Sequence, residues 1–113
     1  MAEQKLHDLL QPVRDIVLRT LEMFVESGPR GLAERGLFPA AEVPVAEERC
    51  ADFGGRFRMP PPSAPVYVYK SGDRYDIELP LWLEGEDDRS DLFIFLVVEP
   101  AAGTARMVDL RAP

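Results

Sequence analysis

A run of seven residues, Leu92 to Val98, is apolar on both sides of an extended chain. Successive side chains of a strand point to opposite faces, so the run divides into two apolar sets. The sets are Leu92, Ile94, Leu96 and Val98 on one face, and Phe93, Phe95 and Val97 on the other. A strand that is apolar on both faces needs cover on both. The fold must therefore supply a layer on each side of this strand.

The N-terminal part of the sequence predicts one of these layers. Apolar residues recur at helical spacing from Leu6 to Phe24. Pro12 fits the first turn of a helix, so we expect a main helix from about Gln11 to Ser27, preceded by a shorter and looser helical segment. Gly28-Pro29 is a strong stop signal for that helix.

Residues 29–62 are rich in Gly and Pro and predict short elements only. A helical turn is expected near residues 31–35, and a helix of about two turns at 45–53. On the second helix Ala46, Cys50 and Phe53 share the predicted core face, so Cys50 is interpreted as a small buried hydrophobe. A short extended piece at 56–59 leads into the stiff Pro60–Pro62 connector.

The second half of the sequence is typical of strands. Val66–Lys70 and Arg74–Trp82 flank a Ser-Gly-Asp turn and predict a β-hairpin. Pro80 cannot donate a ladder hydrogen bond, so its strand should lie at an edge, or be bulged or broken there. Arg106–Arg111 is the last predicted strand, with Val108 and Leu110 on one face and Met107, Asp109 and Arg111 on the other.

Helices followed by a run of strands predict an α+β fold. We expect a single domain over residues 1–113, with a helical part and Pro-rich connector at 1–62 and a strand meander at 63–113. In this interpretation a long N-terminal helix and short helices pack on a curved antiparallel sheet of about four strands.

The second apolar face of the sheet is the first candidate for function. Either the 29–62 segment folds back over it, or it stays open as an association surface formed by Trp82, Phe93, Phe95 and Val97. Exposed apolar patches usually mark association. The hypothesis favoured here is a homodimer that forms through this sheet face.

Charge and composition exclude several other classes of function. The formal net charge is −7 with scattered basic residues, which argues against nucleic-acid binding. The acidity favours solubility, or a basic protein partner. One cysteine permits no internal disulfide, and no apolar run reaches the roughly 18–20 residues of a membrane span. We expect a cytoplasmic protein with no membrane contact.

An acidic connector follows Trp82 and invites a metal-site interpretation. Its carboxylates are Glu84, Glu86, Asp87, Asp88 and Asp91. Their spacing does not follow the calcium-loop pattern of alternating acids, a Gly and a distal Glu. We therefore expect a solvated connector with no metal and no cofactor, in which Ser90 or Asp91 hydrogen-bonds local backbone.

A small-molecule pocket is the competing interpretation. Such a pocket would use Tyr75, Asp76 and Asp109 as weak candidates for binding or proton transfer. Alternation places Tyr75 and Asp76 on opposite faces of their strand, and Asp109 should face outward. His7 and Cys50 lie on different predicted elements, so no catalytic residue is assigned.

One stretch resembles a known family. Pro80-Leu81-Trp82, an acidic connector and Arg89–Leu92 resemble a group of small bacterial domains of unknown function. In that family a strand ending in Leu-Trp-Thr precedes an acidic loop and Arg-Ser-Asp-Leu. Gly54-Gly55, Met59–Pro61 and the tail at 108–110 are similar to further elements of its pattern.

The chain departs from the family at Leu83, where Thr is more common, and lacks a clear aromatic pair in the last strand. The resemblance implies a layout similar to cystatin-like and nuclear-transport-factor-like folds, and it implies no activity. The leading hypothesis is a non-enzymatic protein-binding module. The alternative is a small-molecule binder or an isomerase- or cyclase-like pocket protein of the nuclear-transport-factor-like type.

Overall fold

The computed structural model describes residues 2–86 and 89–113. These residues form the helices α1 (Gln11–Glu34) and α2 (Val43–Asp52). The strands are β1 (Ala2–Lys5), β2 (Phe57–Arg58), β3 (Pro65–Ser71), β4 (Arg74–Leu83), β5 (Arg89–Glu99) and β6 (Thr104–Arg111). Three short 3-10 turns, Leu6–Asp8, Ala40–Glu42 and Pro100–Ala102, connect them.

The strands form one antiparallel sheet in the order β1-β3-β4-β5-β6, and β2 pairs with the end of β4. The α+β prediction is confirmed, with a long N-terminal helix and a short helix packed on the sheet. The sheet has six strands where about four were expected. The extra strands are β1, which replaces part of the expected loose helical segment, and the two-residue β2.

Helix α1 is bent where the sequence predicted its end. Gly28 has φ 65° and ψ −166°, a conformation available almost only to glycine, and it divides the helix into two pieces. Pro29 starts the second piece, because a first helical turn tolerates the missing N–H. Helix α2 carries Pro44 in its first turn and buries Ala46 and Cys50, as predicted.

A closed aliphatic core fills the space between the helices and one face of the sheet, called the inner face below. Its fully buried members include Val17, Leu21, Leu32, Val66, Ile77, Leu79, Leu92, Ile94, Leu96, Met107 and Leu110. Burial of each such side chain contributes roughly 1.5–3 kcal/mol relative to exposure. The first apolar set of β5 thus lies under the helices, while the second set points to the opposite, outer face.

The ladder between β4 and β5 changes register between Pro80 and Trp82. Strand β4 pairs with β3 up to Glu78 and with β2 from Trp82, so Pro80 stands between its two partners on that side. This position needs no N–H donor, and it matches the predicted break. Ser90 is the residue whose side chain hydrogen-bonds backbone at this bulge, to Leu81 and Leu92.

A second bulge separates Phe95 and Leu96 in their pairing with β6. One extra residue on β6 lets both Met107 and Leu110 reach the core, each about 1% exposed, and leaves Val108 39% exposed. The prediction that Met107 lies opposite Leu110 was therefore wrong, because strict alternation does not continue through a bulge.

Candidate association surface

The outer face of the sheet is built from side chains that the pairing register aligns in rows. The central row holds Tyr67, Glu78, Phe95 and Asp109 on β3 to β6. The row on one side holds Tyr69, Asp76, Val97 and Arg106, and the row on the other side holds Pro80, Phe93 and Arg111. Because the buried side chains of both helices join the inner core, this face presents its own side chains directly.

Three aromatic rings form a cluster at the centre of the outer face. The centroids of Tyr67 and Phe93 are 6.2 Å apart with planes inclined by 29°. Phe93 and Phe95 are 6.4 Å apart with planes inclined by 37°. The guanidinium of Arg111 lies 4.6 Å from the Phe95 ring centroid, a cation–π geometry. The cluster is therefore a rigid apolar centre with a cation on its β6 side.

The four predicted surface residues differ in exposure. Phe93 is half-buried, whereas Phe95 is 9% exposed, Val97 6% and Trp82 9%. Neighbouring side chains on the face shield Phe95, including Arg111 above its ring. The aromatic surface that stays partly accessible is thus Phe93 together with Tyr67 and Tyr69.

Sequence reasoning missed Tyr67 and Tyr69. The signal was present in the alternating Val-Tyr-Val-Tyr of β3, which places both tyrosines on one face. Only the cross-strand register aligns Tyr67 with Phe95 through Glu78, and that pairing connects residues far apart in the chain.

Trp82 occupies a separate position at the end of β4. Its backbone partners are Arg58 on β2 and Arg89 on β5, and the bulge separates it from Phe93, which pairs with Pro80. The Arg58 guanidinium lies 5.0 Å from the Trp82 ring centroid. The indole Nε1 is buried and makes no hydrogen bond with any residue that the structure describes.

Arg58 also fixes the start of the acidic connector. Its Nε donates to the carbonyl of Leu83 at 3.2 Å, and its Nη2 donates to the carbonyl of Glu86 at 3.0 Å. Two backbone carbonyls thereby gain a charged donor. The connector is tied to the sheet through Arg58 and Trp82.

The charged side chains of the outer face are partly paired. Arg74 Nε lies 3.4 Å from Asp76 Oδ1, and Arg111 Nε donates to Asp109 Oδ2 at 2.6 Å. Glu78 is half-buried between Tyr67 and Phe95 and has no ion pair within the described chain. A half-buried carboxylate beside aromatic rings is a position where an added cation would gain a favourable partner.

The three weak pocket candidates do not converge. Tyr75 faces the inner side of the sheet, with Lys70 Nζ 5.7 Å from its ring centroid. Asp76 lies on the outer face. Asp109 lies at the β6 edge, where Arg49 Nη1 approaches to 3.5 Å and Asp109 Oδ1 accepts the N–H of Leu110 at 2.8 Å.

Cys50 lines a cleft of about 330 Å³ between the bend of α1 and the start of β2. Cys50 is only 8% exposed, and burial, followed by the charge of Glu47, raises the pKa of its thiol to about 11. A thiol in this state is protonated at neutral pH and a poor nucleophile. His7 is exposed beside Asp8, at 3.3 Å, next to β1.

Three carboxylates of the acidic connector lie within the described residues, and all three are exposed: Glu84, Glu86 and Asp91. Asp87 and Asp88 lie outside the described residues. Within residues 2–86 and 89–113, no group of three or more His, Cys, Asp or Glu side chains is arranged to hold a metal ion.

Comparison with family models, with curated proteins and with solved structures finds no match for the chain. Within the described part of the chain, neither helix has the length and apolar content needed to cross a membrane.

Proposed function

We propose that this protein is a non-enzymatic association module that forms a homodimer by packing the outer faces of two sheets together. The observation that carries the proposal is the aromatic cluster of Tyr67, Phe93 and Phe95 on a face that the helices do not cover. Aromatic anchors at the centre of a patch, surrounded by polar and charged residues, are typical of protein interfaces.

Charge complementarity supports a second copy as the occupant. Asp76 and Glu78 lie on β4, whereas Arg106 and Arg111 lie on β6 of the same face. A two-fold axis running along β5 would place β4 of one copy over β6 of the other. Because this axis keeps each row opposite itself, Asp76 of each copy would face Arg106 of the other, and Glu78 would lie over the Asp109–Arg111 pair; each contact would be made twice.

The size of the overlap between the two faces predicts a weak dimer. With the axis along β5, only β4, β5 and β6 of the two copies lie over one another; three strands about 4.8 Å apart bury roughly half of the standard 800 Å² per partner. That area is a modest part of the 6264 Å² surface of one copy. Sheet-on-sheet packing of this kind is a common way to cover an apolar face.

The pocket alternative has less support. The volume between helix α1 and the sheet is occupied by fully buried aliphatic side chains such as Leu21, Leu79 and Leu96. A ligand site of the nuclear-transport-factor-like type would need that volume. A cytoplasmic location, membership of the small bacterial family and a cystatin-like layout are part of the same proposal, and they rest on the sequence alone.

The experiment is a mass measurement in solution by sedimentation equilibrium at micromolar concentration. Phe93→Glu places a charge in the aromatic cluster, and we expect it to break the face contact and lower the mass of the assembly. Asp76→Lys should weaken association as well, since it puts a lysine opposite Arg106 of the partner. Val45→Glu is the matched control, because Val45 is 51% exposed on α2 and lies outside the outer face.

The proposal is wrong if wild-type protein has the mass of one chain at tens of micromolar, or if Phe93→Glu leaves the mass unchanged. The far-UV circular dichroism spectrum of each variant must match that of the wild type, so that a lower mass can be attributed to lost association and not to unfolding. Formation of a complex with a basic protein by a chain that is itself monomeric would favour the hetero-partner alternative and overturn the homodimer.

A further inference from the structure

The two edges of the sheet are treated differently by the fold. At the β6 edge three backbone groups have partners outside the sheet ladder: the N–H of Met107 donates to the carbonyl of Leu37 at 2.8 Å. The carbonyl of Leu110 accepts from Arg49 Nη1 at 2.8 Å, and the N–H of Leu110 donates to Asp109 Oδ1 at 2.8 Å. These contacts close the β6 edge to further strand pairing.

The opposite edge is β1, and its register shows which backbone groups point outward. The N–H of Leu6 donates to the carbonyl of Ala64 at 2.8 Å, in the same register that pairs Gln4 with Val66 and Lys5 with Pro65. Hydrogen-bonded and non-hydrogen-bonded pairs alternate along an antiparallel ladder. Gln4 therefore bonds toward β3, while the N–H and carbonyl groups of Glu3 and Lys5 point away from the sheet.

Pro65 fits this assignment, because it stands opposite Lys5 and has no N–H to donate. In the part of the chain that the structure describes, Glu3 and Lys5 make no hydrogen bond along the edge of β1 that faces away from β3, and they form no ion pair. Both side chains are exposed on the outer face, in line with Tyr67 and Pro65. The β1 edge thus offers four unpaired backbone groups and two opposite charges.

We infer that β1 pairs antiparallel with β1 of a second copy, about a two-fold axis at Gln4. In this register Glu3 of one copy stands opposite Lys5 of the other, and each such pair exchanges two backbone hydrogen bonds. The pairing forms four backbone hydrogen bonds and two cross-strand ion pairs, and joins the two sheets into one.

The charges select this register over its neighbours. A two-fold axis at Glu3 would place Glu3 opposite its own copy, and an axis at Lys5 would do the same for Lys5. Like charges directly opposite are destabilising. An axis between two residues would set outward groups against groups already bonded to β3, so the ladder could not form. A second copy is therefore a better occupant than an arbitrary extended peptide.

This edge contact is independent of the proposed face contact. A two-fold axis perpendicular to the sheet keeps both outer faces on the same side of the joined sheet. The face contact uses an axis in the plane of the sheet, so the two contacts can coexist. Because one axis passes through β1 and the other runs along β5, the two axes do not meet, so both contacts together extend into open assemblies of more than two 12.7 kDa chains.

A charge-exchange experiment in the Phe93→Glu background isolates the edge contact, with any affinity tag placed at the C-terminus. Phe93→Glu alone should sediment as two chains. Adding Lys5→Glu or Glu3→Lys creates two like-charge pairs and should raise the dissociation constant at least about tenfold, leaving single chains. An equimolar mixture of the two charge variants should restore the two-chain mass, because each acidic strand then meets a basic one.

Two further variants separate charge from backbone. Glu3→Pro removes one outward N–H while leaving the bonds to β3, and should abolish the pairing with little loss of stability in urea. Glu22→Lys makes the same charge change on the exposed side of α1 and should leave the mass unchanged.

The outcomes distinguish this inference from the proposed function. If Phe93→Glu alone is already a single chain, or if the mixture of charge variants stays monomeric, the edge inference is overturned. If Phe93→Glu keeps the wild-type mass while Lys5→Glu halves it, the face contact fails and the edge contact stands.

Discussion

The hydroxyl of Ser90 donates a hydrogen bond to the carbonyl of Leu81 at 2.9 Å, across the register shift between β4 and β5. The same oxygen accepts the N–H of Leu92 at 3.2 Å, and Ser90 is 8% exposed. The bulge removes regular ladder bonds at this point, and the Ser90 side chain replaces them. The stretch from β4 through the connector is therefore organised around a buried polar contact.

Ser90→Ala should lower the free energy of unfolding by about 1–3 kcal/mol, because it leaves a buried backbone donor and acceptor without this partner. Urea denaturation followed by circular dichroism measures the change. Ser63→Ala is the matched control, since Ser63 is exposed in the loop before β3, and it should change stability by less than about 0.5 kcal/mol. Equal midpoints for the two variants would contradict the role of Ser90.

Local patterns predicted much of the fold. Helical spacing gave the main part of α1, and Gly28-Pro29 marked its bend. The Ser-Gly-Asp turn predicted the pairing of β3 with β4, and Pro80 marked the gap between the partners of β4. Each of these signals acts within a few residues, so one sequence suffices to read it.

Features set by distant pairing could not be predicted. Strand β1 has no strand signature and exists because β3 offers it an edge. The bulge opposite Phe95 moved Met107 to the core, and no residue type announces a bulge there. The burial of Phe95 depends on Arg111, which lies 16 positions later in the chain.

Arg58→Ala should shift the fluorescence of Trp82, the only tryptophan, to longer wavelength. The substitution removes the guanidinium 5.0 Å from the ring centroid and admits water to a buried indole. It also removes two hydrogen bonds to connector carbonyls, so we expect a loss of stability of about 1–2 kcal/mol. Arg56→Ala is the control, because Arg56 is exposed near the same loop. An unchanged emission maximum for Arg58→Ala would contradict the packing described.

Cys50 should resist thiol reagents in the native protein. Burial raises the pKa of the thiol to about 11, so the thiolate fraction at pH 8 is roughly 100-fold below that of an ordinary cysteine. The raised pKa stabilises the fold below pH about 9, and this contribution is lost as pH rises through about 11. Labelling with a chromogenic disulfide at pH 8 should be slow until urea unfolds the chain. Fast native labelling would show that the thiol is accessible.

The β6 bulge decides which of two neighbouring side chains, Met107 or Val108, lies in the core, and strict alternation would predict the opposite choice. Met107 is about 1% exposed and Val108 is 39% exposed, although strict alternation would put Val108 on the same face of β6 as the buried Leu110. Met107→Ala should therefore cost about 2–5 kcal/mol through lost packing, whereas Val108→Ala should cost less than about 1 kcal/mol. Urea midpoints of the two variants, measured side by side with equal slopes, test the register directly. A larger loss for Val108→Ala than for Met107→Ala would mean that β6 pairs with β5 without the bulge.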